Sequence, residues 1–526
     1  MFGNPYNFDE YVERRNTDSF KWDMILNNYG DDVIPAWVAD MDFKSPQTVV
    51  DQLKRRIEHG IFGYTFRSAD YYNAIIQWYG KRYDACVEKE WIVNGPGVVP
   101  MLSFLINSLT QPGDKVIIQP PVYPPFFRVV LNNGRQLVEN RLVNKDGKWH
   151  MDYDSLEKLI DSRTKMIIIS NPHNPVGRVW SEEELRKLYD VALKHELVII
   201  SDEIHADIIY KPNQFTTMLK IGTENVVILN SPGKTFNIAG LTNSYGIIPN
   251  RTLRVLYKNY LESLELLTGN VLSLEALKAA YKSEDWVDQL VEYLKSNRDF
   301  AYGFITRNMP LTRPTLPEGT YLMWIDCSKL KLGNPQKYFL EHARVYLNDG
   351  QEFGDPQAVR LNFACPRALL EEILRRLKEA YEKALIIEHF DFQDERYEIC
   401  KKIRYDVFVK GQNIDEKLEQ DGKDTEAVHF LCKHFSNYVG TARIRDIGTH
   451  WKVERVAVLE EYRGMGYGKK IMEAIEEYIK TTNPKLIVLN AQLEVRDFYG
   501  KLGYEAISDI FIEAGIQHVK MEKRMF

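Results

Sequence analysis

Three polar residues of the chain follow short apolar segments at positions where a layered sheet would bring them together. They lie in the segments NPHNPVG (171–177, with Asn174), SDEIHADIIY (201–210, with Asp202) and SPGKTFNIAGL (231–241, with Lys234). Asp202 lies 28 residues beyond Asn174, and Lys234 lies 32 residues beyond Asp202. Because open α/β sheets bind ligands at the carboxyl ends of their strands, this spacing predicts one site that contains all three side chains.

These three residue types match the chemical needs of pyridoxal phosphate. A lysine amine can hold the cofactor as a Schiff base and can afterwards move a proton at the substrate Cα. A buried carboxylate that faces the pyridine nitrogen keeps it protonated, so that the ring accepts electrons, and an amide can donate to the phenolic oxygen. A lone lysine after a strand is ordinarily solvated, and NPxNP alone could be a pair of turns. The ordered triple is far less accidental, and it predicts pyridoxal 5'-phosphate as a cofactor.

Short β-branched segments alternate with amphipathic ones over residues 50–280, and these elements must position the three side chains. Buried parallel strands are predicted over 115–119, 165–170, 197–204 and 226–231. A helix is predicted over 181–196, because Ser181 and Glu184 have the spacing of a capping box. Its apolar face comprises Leu185, Leu188, Val191 and Ala192. This alternation implies an α/β fold with right-handed crossovers.

Further stretches of the first 383 residues make a family resemblance specific. They are TDSFKWD (17–23), IPAWVADMDF (34–43), HGIFGYT (59–65), GPGVVPML (95–102), PPVYPPF (120–126), EGTYLMWID (318–326) and VRLNFACPR (359–367). Residues 1–383 resemble a fold-type I pyridoxal-phosphate enzyme of the aminotransferase class I/II superfamily, and more narrowly the cystathionine β-lyase (C–S lyase) branch of MalY/PatB type. The resemblance implies a large α/β domain over about 50–280, and a small α+β domain built from the N-terminal arm and about 281–383.

The resemblance also implies a role for each matching residue around the cofactor ring. Lys234 is the expected Schiff-base lysine, Asp202 the pyridinium partner and Asn174 the donor to the ring oxygen. Tyr123 is expected to stack on the ring, and Ser231 is expected to contact the phosphate.

Four more residues are assigned to the phosphate, the neighbouring subunit and the substrate. Val98 and Val99, at a predicted helix N-terminus, would offer backbone N–H groups to the phosphate. Tyr64 would reach the phosphate of a neighbouring subunit, which implies a homodimer, and Arg360 would clamp the substrate α-carboxylate. Without the family context, Tyr123, Tyr64 and Arg360 would be interpreted as a core aromatic, an interface aromatic and a surface ion pair.

The family pattern is not followed everywhere. Gly233 stands where many members have a serine, and Thr242 stands where aminotransferases usually have a phosphate-binding arginine. Because the C–S lyase branch often lacks that arginine, the second departure favours β-elimination of a cysteine thioether to pyruvate, ammonia and a thiol. Two alternatives stay open: an aminotransferase, and a regulatory ligand-binding module with a protein partner.

A second unit is predicted from about residue 384, with its boundary within 384–390. Antiparallel strands are predicted over 407–409, 437–444 and 453–459, and a helix over 469–480. Between the last strand and this helix, Arg463, Gly464, Gly466 and Gly468 fit the pattern R-x-x-G-x-G. Glycines there allow backbone N–H groups to approach an anion, and the helix dipole adds to the attraction. The turn alone would be weak evidence.

Neighbouring segments make this turn more specific. ARIRD (442–446), LNAQLEVRDFYGKLGYE (489–505) and FIEAGIQHVKM (511–521) accompany it. Residues 384–526 resemble a GNAT N-acetyltransferase of the ElaA/YjcF-like branch, an α+β fold that binds acetyl-CoA. The resemblance assigns the acetyl-pantetheine arm to the backbone of Val456 and Val458, and the pyrophosphate to Arg463–Gly468. Tyr499 would protonate the departing thiolate, with core packing as its alternative role, and the general base stays open between Glu454 and His429.

Composition limits the classes of function. The 526 residues carry 68 basic and 74 acidic groups and a formal charge of −6, which argues against a generic nucleic-acid or acidic-membrane binder. The N-terminal residues lack an apolar segment after a basic one, so we expect no secretory signal and a cytoplasmic location. Five scattered cysteines without a CxxC predict free thiols and no metal site. The leading interpretation is a bifunctional enzyme; an acetyltransferase unit that binds CoA without turnover is its alternative.

Overall fold

The computed structural model describes residues 6–266 and 268–525. The chain folds as two compact units. The first comprises the residues up to Lys329 together with Gly333–Glu379, and the second comprises Leu330–Leu332 together with Ala380–Phe526. Among the described residues, no helix is both long and apolar enough to cross a bilayer.

A seven-stranded sheet forms the centre of the first unit. Its strands, in spatial order, are Ile92–Gly95, Ser244–Ile247, Val226–Asn230, Val198–Asp202, Thr164–Ser170, Lys115–Ile118 and Gln136–Glu139. Ser244–Ile247 runs antiparallel to both of its neighbours, and the remaining neighbouring strands pair in parallel. The central strands are buried on both faces, as their continuous apolar composition predicts. All four strands predicted from sequence for this sheet are present, with ends that differ by up to two residues.

Helices cover this sheet and extend through the rest of the unit. They are Asp23–Tyr29, Gln47–Glu58, Ala69–Tyr83, Val98–Leu109, Pro124–Asn132, Tyr153–Leu159, Glu182–Lys194, Met218–Ile221, Pro232–Thr235, Arg251–Ser263, Val271–Ala280, Glu284–Asn308, Pro335–Ala343 and Arg367–Lys383. The predicted capping box is present, with the Ser181 hydroxyl accepting from the Glu184 N–H and the Glu184 carboxylate accepting from the Ser181 N–H. Leu185, Leu188 and Ala192 are buried on this helix, and Val191 is half-buried.

Smaller sheets complete the first unit. An antiparallel sheet contains, in order, Arg313–Pro314, Leu322–Asp326, Ala358–Asn362 and Asn348–Asp349. Ile34–Pro35 pairs in parallel with Val345–Tyr346, and Val143–Lys145 pairs with Lys148–His150. The pair at Ile34 leads into a chain segment, Ala36–Phe43, that lies beside Lys234.

The second unit contains one sheet and four principal helices. The strands, in order, are Leu385–Asp391, Val428–His434, Asn437–Asp446, His450–Val458, Leu486–Gln492, Ile516–Lys523 and Glu505–Ala506, and Phe511–Glu513 pairs with Ile516–Lys523. Its helices are Tyr397–Arg404, Glu416–Glu419, Tyr467–Thr482 and Arg496–Lys501. Within the sheet only His450–Val458 and Leu486–Gln492 pair in parallel.

The predicted strand over 407–409 is wrong. Residues Tyr405–Lys410 instead extend the helix Tyr397–Arg404 with a π-helical turn. The physical reason is the spacing of apolar residues, because Cys400, Ile403 and Val407 recur at three and four residues and pack into one buried cluster. The two valines of VFV suggested a strand, but the helical period of the longer segment decides the structure.

Candidate functional site

Side chains that follow neighbouring strands of the first sheet meet at one edge. Asp202 ends the strand Val198–Asp202, Asn174 follows the strand that ends at Ser170, and Lys234 follows the strand that ends at Asn230. These strands are parallel neighbours, so their carboxyl ends lie at the same edge.

Lys234 lies on the short helix Pro232–Thr235, which Ser231 caps by accepting a hydrogen bond from the Gly233 N–H at 3.0 Å. Its Nζ donates to the Ala39 carbonyl oxygen at 2.5 Å. Burial lowers the pKa of Lys234 to about 8, while the Asp40 carboxylate opposes this shift. The amine therefore loses its proton at a lower pH than a solvated lysine does.

Asp202 is a buried carboxyl with little to stabilise its charge. It is 5% exposed, and Oδ1 accepts one hydrogen bond, from the Ile204 N–H at 3.2 Å. Burial raises the pKa of Asp202 to about 7, although the positive charge of Lys234 acts in the opposite direction. Such a carboxyl is suited to a cationic partner that enters the site with a ligand.

Arg360 is a buried cation that forms no ion pair with a carboxylate in the described parts of the chain. It donates to Asn174 Oδ1 at 2.8 Å, to Asn348 Oδ1 at 2.5 Å and to the Trp37 carbonyl oxygen at 3.1 Å. Its Nε is buried without a hydrogen bond. Burial lowers the pKa of Arg360 to about 10, so the site contains an uncompensated guanidinium that is suited to an anion.

The remaining predicted residues of this site differ in how the structure positions them. Tyr123 is half-buried, and burial together with the Asp202 charge raises its pKa. Val98 and Val99 begin the helix Val98–Leu109, so their N–H groups have no intrahelical acceptor. Ser231 Oγ donates to the Asn243 carbonyl oxygen at 2.6 Å. Tyr64 is fully exposed in the single chain.

The second unit contains a cleft between two splayed strands. The parallel pairing of His450–Val458 with Leu486–Gln492 ends at Val453 and Leu489. The strand is also bulged against its other neighbour, since two residues, Arg455 and Val456, oppose Ala442 alone. Arg455 adopts a left-handed conformation at φ +56°. The backbone of Val456 to Val458 is therefore left without a partner strand on the side of Leu486–Gln492.

The glycine turn follows directly from this cleft. Gly464 and Gly466 have φ of +75° and +85°, and Gly466 immediately precedes the helix Tyr467–Thr482. Arg463 Nε donates to the Val458 carbonyl oxygen at 3.2 Å. Tyr499 lies 8% exposed in the core beside Phe498 and Tyr504, and burial raises its pKa well above the ordinary value. Glu454, one of the two possible bases, forms an ion pair with Arg445. His429, the other, forms a hydrogen bond with the Asp424 carbonyl oxygen.

Known proteins share this architecture. The family described as aminotransferase class I and II matches residues 31–377. Cystathionine beta-lyase PatB of Bacillus subtilis is 39% identical over 384 residues, which are 71% of this chain and 99% of that protein. Protein MalY of Escherichia coli is 31% identical over 376 residues, 70% of this chain and 96% of that protein.

The chain belongs to the aminotransferase class I and II family. Within it, the chain is homologous to the cystathionine β-lyases of MalY/PatB type, and the predicted family is confirmed. A crystal structure of cystalysin from Treponema denticola, described as containing pyridoxal 5'-phosphate, is similar with a TM-score of 0.70 and 34% identity, over 72% of this chain and 99% of that one. A PLP-bound putative aminotransferase from Clostridium difficile has a TM-score of 0.69 and 43% identity, over 71% and 99% of the two chains.

The fold-type I prediction for this aminotransferase-family unit is therefore confirmed. The family described as acetyltransferase (GNAT) domain matches residues 391–525, so the predicted C-terminal GNAT unit is confirmed as well. Gly233 departs from the family pattern, and its surroundings leave little room for a side chain. A Cβ there would lie 3.1 Å from Ser231 Oγ and 3.2 Å from Ala239 Cα.

Sequence reasoning missed several residues of the aminotransferase-family site. His205 is 3% exposed, and burial together with the positive charges of Lys234 and Arg360 lowers its pKa to about 3. Its position three residues after Asp202 in the sequence could have indicated that His205 lies near the site. The Ala39 carbonyl oxygen also accepts from the Tyr321 hydroxyl at 3.1 Å. No residue type in the sequence could have identified this group, because every residue has a backbone carbonyl.

The chain segment that contains the Ala39 carbonyl is held in place by hydrogen bonds and ion pairs. Asn362 Nδ2 donates to the carbonyl oxygens of Val38 and Asp40, each at 2.7 Å. Lys21 contacts Asp42 at 2.7 Å, and Arg14 contacts both Asp40 and Asp42. This ion-pair cluster holds the main chain beside Lys234.

Proposed function

We propose that the aminotransferase-family unit is a pyridoxal-phosphate-dependent lyase that cleaves the C–S bond of a cysteine thioether. The observation that carries this proposal is the grouping of Lys234 and Asp202 at one sheet edge with Arg360, which donates to Asn174 at that edge. Lys234 is a buried amine, Asp202 a buried carboxyl and Arg360 a buried guanidinium, and none of the three forms an ion pair within the described part of the chain. An aldehyde, a pyridinium nitrogen and a substrate carboxylate would satisfy them, so the residues present fit the cofactor.

In this proposal Asp202 would pair with the pyridine nitrogen, Asn174 would donate to the ring oxygen and Tyr123 would pack against the ring. The N–H groups of Val98 and Val99, with Ser231, would hold the phosphate. When bound, pyridoxal phosphate supplies an electron-accepting ring that stabilises negative charge at the substrate Cα.

The side chains of the protein bind the substrate and move its Cα proton. Arg360 binds the substrate α-carboxylate and thereby orients the Cα–H bond toward Lys234. The Lys234 amine, whose pKa is lowered to about 8, removes that proton. Loss of a thiolate from Cβ follows, and hydrolysis releases pyruvate and ammonia. The curated relatives named cystathionine beta-lyase support this outcome over amino transfer.

The test is pyruvate release from L-cystathionine by the purified full chain, with Lys234→Ala beside it. Lys220→Ala is the matched control, because Lys220 is a surface lysine paired with Asp84. We expect pyruvate from wild type and Lys220→Ala, and none from Lys234→Ala. Amino transfer to an added keto acid without pyruvate would instead establish an aminotransferase.

We further propose that the GNAT unit transfers the acetyl group of acetyl-CoA to an amine. The splayed strands support this, because they leave Val456 and Val458 without a partner strand on the side of Leu486–Gln492, where an extended pantetheine arm could hydrogen-bond to the main chain. The left-handed glycines and the helix N-terminus support a pyrophosphate beside Arg463. Tyr499 is the proposed acid for the thiolate. CoA release across a panel of amines tests turnover, and CoA binding without release would leave a binding module.

A further inference from the structure

A cluster of charges lies under the splayed strand of the GNAT unit. Its members form a continuous set of ion pairs, and we call it the charge cluster: Arg404, Glu419, Asp421, Asp424, Arg443, Arg445, Lys452, Glu454 and Arg455. Its five cations exceed its four carboxylates by one positive charge.

The carboxylates of this cluster are all bonded to cations other than Arg455. Glu419 and Asp424 pair with Arg404, Asp421 pairs with Arg443 at 2.5 Å, and Glu454 pairs with Arg445 at 2.8 Å. Arg443 also contacts Asp424 at 2.9 Å. These pairs are short and directional, so they neutralise one another.

Arg455 is the cation that remains. Its nearest carboxylate oxygens, on Glu419 and Asp421, are each 3.5 Å away. Its Nη2 donates to the carbonyl oxygens of Leu418 and Glu419, at 2.9 and 3.1 Å. Its Nε is buried without a hydrogen bond, and no described residue accepts from Nη1. Burial and the nearby Arg443 charge lower the pKa of Arg455, as expected for a cation with insufficient counter-charge.

The backbone at Arg455 is strained. A left-handed conformation costs a non-glycine residue about 1–2 kcal/mol, yet this position at φ +56° carries a long charged side chain. The same bulge separates the strand from Leu486–Gln492 and frees Val456. Arg455 therefore lies where the proposed acetyl-binding backbone begins, and its side chain extends to the chain segment around Leu418.

We propose that Arg455 binds a carboxylate of the acetyl acceptor, so that the acceptor of the GNAT unit is an amino acid and not a simple amine. This inference rests on the proposed acetyltransferase function. An acceptor carboxylate supplies the charge that the cluster lacks and an oxygen acceptor for the unused donors of Arg455. The amine of that acceptor is then held beside the strand proposed to bind the acetyl group.

The test compares amino acids with their decarboxylated amines as acceptors for the full chain: L-methionine with 3-(methylthio)propylamine, L-phenylalanine with phenethylamine, and L-lysine with cadaverine. A charge-assisted pair lost from a partly buried site costs about 10- to 100-fold. We expect wild type to prefer the amino acid by about that factor in kcat/KM, and Arg455→Gln to reduce the preference to within about threefold. Arg455→Lys should retain part of it.

Two controls separate acceptor binding from a structural role of Arg455. Lys452→Gln removes a neighbouring cation that pairs with Glu454, and the preference should survive. The KM for acetyl-CoA should stay within about twofold in each variant. If Arg455→Gln lowers kcat/KM equally for both members of each pair, or if wild type shows no preference, the inference is wrong. If wild type releases no CoA with any amine, the proposed acetyltransferase function fails first, and a thermal shift with acetyl-CoA identifies that case.

Discussion

Lys234 is a buried amine whose environment sets its charge. Its pKa of about 8 lies well below the ordinary value because burial disfavours the ammonium form. Only the neutral amine attacks an aldehyde. We therefore expect the rate at which cofactor-free protein takes up pyridoxal phosphate to rise about tenfold per pH unit below pH 8 and to level above it. Stopped-flow absorbance at about 420 nm measures this rate.

Asp40 provides the control for that prediction. Its carboxylate raises the pKa of Lys234 against the effect of burial, so Asp40→Asn should move the midpoint to lower pH. A midpoint that moves to higher pH, or a rate that is flat between about pH 6 and 9, would contradict the electrostatic account.

Asp202 should be required for turnover more than for cofactor retention. Asp202→Asn keeps the shape of the side chain and removes the charge that would stabilise a pyridinium, so we expect kcat to fall by at least about 100-fold. The cofactor content, read from absorbance, should stay within about twofold, since the groups proposed to hold the phosphate are unchanged in this variant. Asp190→Asn, at an exposed helix position, is the control. Full activity of Asp202→Asn would exclude the proposed role.

At the scale of elements, the sequence could predict features that depend on one strand or helix alone, and could not predict features that depend on pairing between elements. Asp202 and Lys234 could be assigned to one edge because Asp202 ends, and Lys234 follows, a β-branched strand that is buried over most of its length. The bulge at Arg455 could not be predicted, since it depends on pairing with Ala442 on another strand. The contact of Lys234 with Ala39 joins residues 195 positions apart and depends on the assembled fold.

A substitution in the glycine turn can separate the effect of backbone strain from the effect of a steric clash. A Cβ on Gly466 would meet no atom within 4 Å, so Gly466→Ala should act only through the left-handed backbone at φ +85°. That strain of about 1–2 kcal/mol distorts the turn, and we expect the dissociation constant for acetyl-CoA to rise about 5- to 30-fold. Isothermal titration of the full chain measures it.

Gly448 is the matched control for this substitution. It has φ of +90° and equally open surroundings, but it lies in the turn between Asp446 and His450. Gly448→Ala should cost similar stability and leave acetyl-CoA affinity unchanged. Equal loss of affinity in both variants would mean that the glycine turn is not the pyrophosphate site.

At the scale of the whole molecule, a segment of the first unit exposes several large apolar side chains. Ile57, Ile61, Phe62, Tyr64 and Phe66 are all more than half exposed. An open hollow lined by Phe62–Tyr64 and Thr268–Leu272 lies beside them. A monomer gains nothing from exposing so many large apolar side chains, so we propose that a second copy of the chain covers them. The predicted reach of Tyr64 to the neighbouring subunit's phosphate would follow from such a dimer.

Mixing two inactive variants tests that arrangement. Lys234→Ala retains Tyr64, and Tyr64→Ala retains Lys234, so a hybrid dimer has one site with both residues if Tyr64 acts across the interface. Equal mixing with random reassortment gives hybrids as half of all dimers, and we expect about a quarter of wild-type pyruvate release. If Tyr64 acts within its own subunit, the hybrid contains no complete site, and the mixture stays as inactive as its components. Sedimentation of each variant checks that both remain dimers, because a monomeric Tyr64→Ala would show that this residue supports assembly.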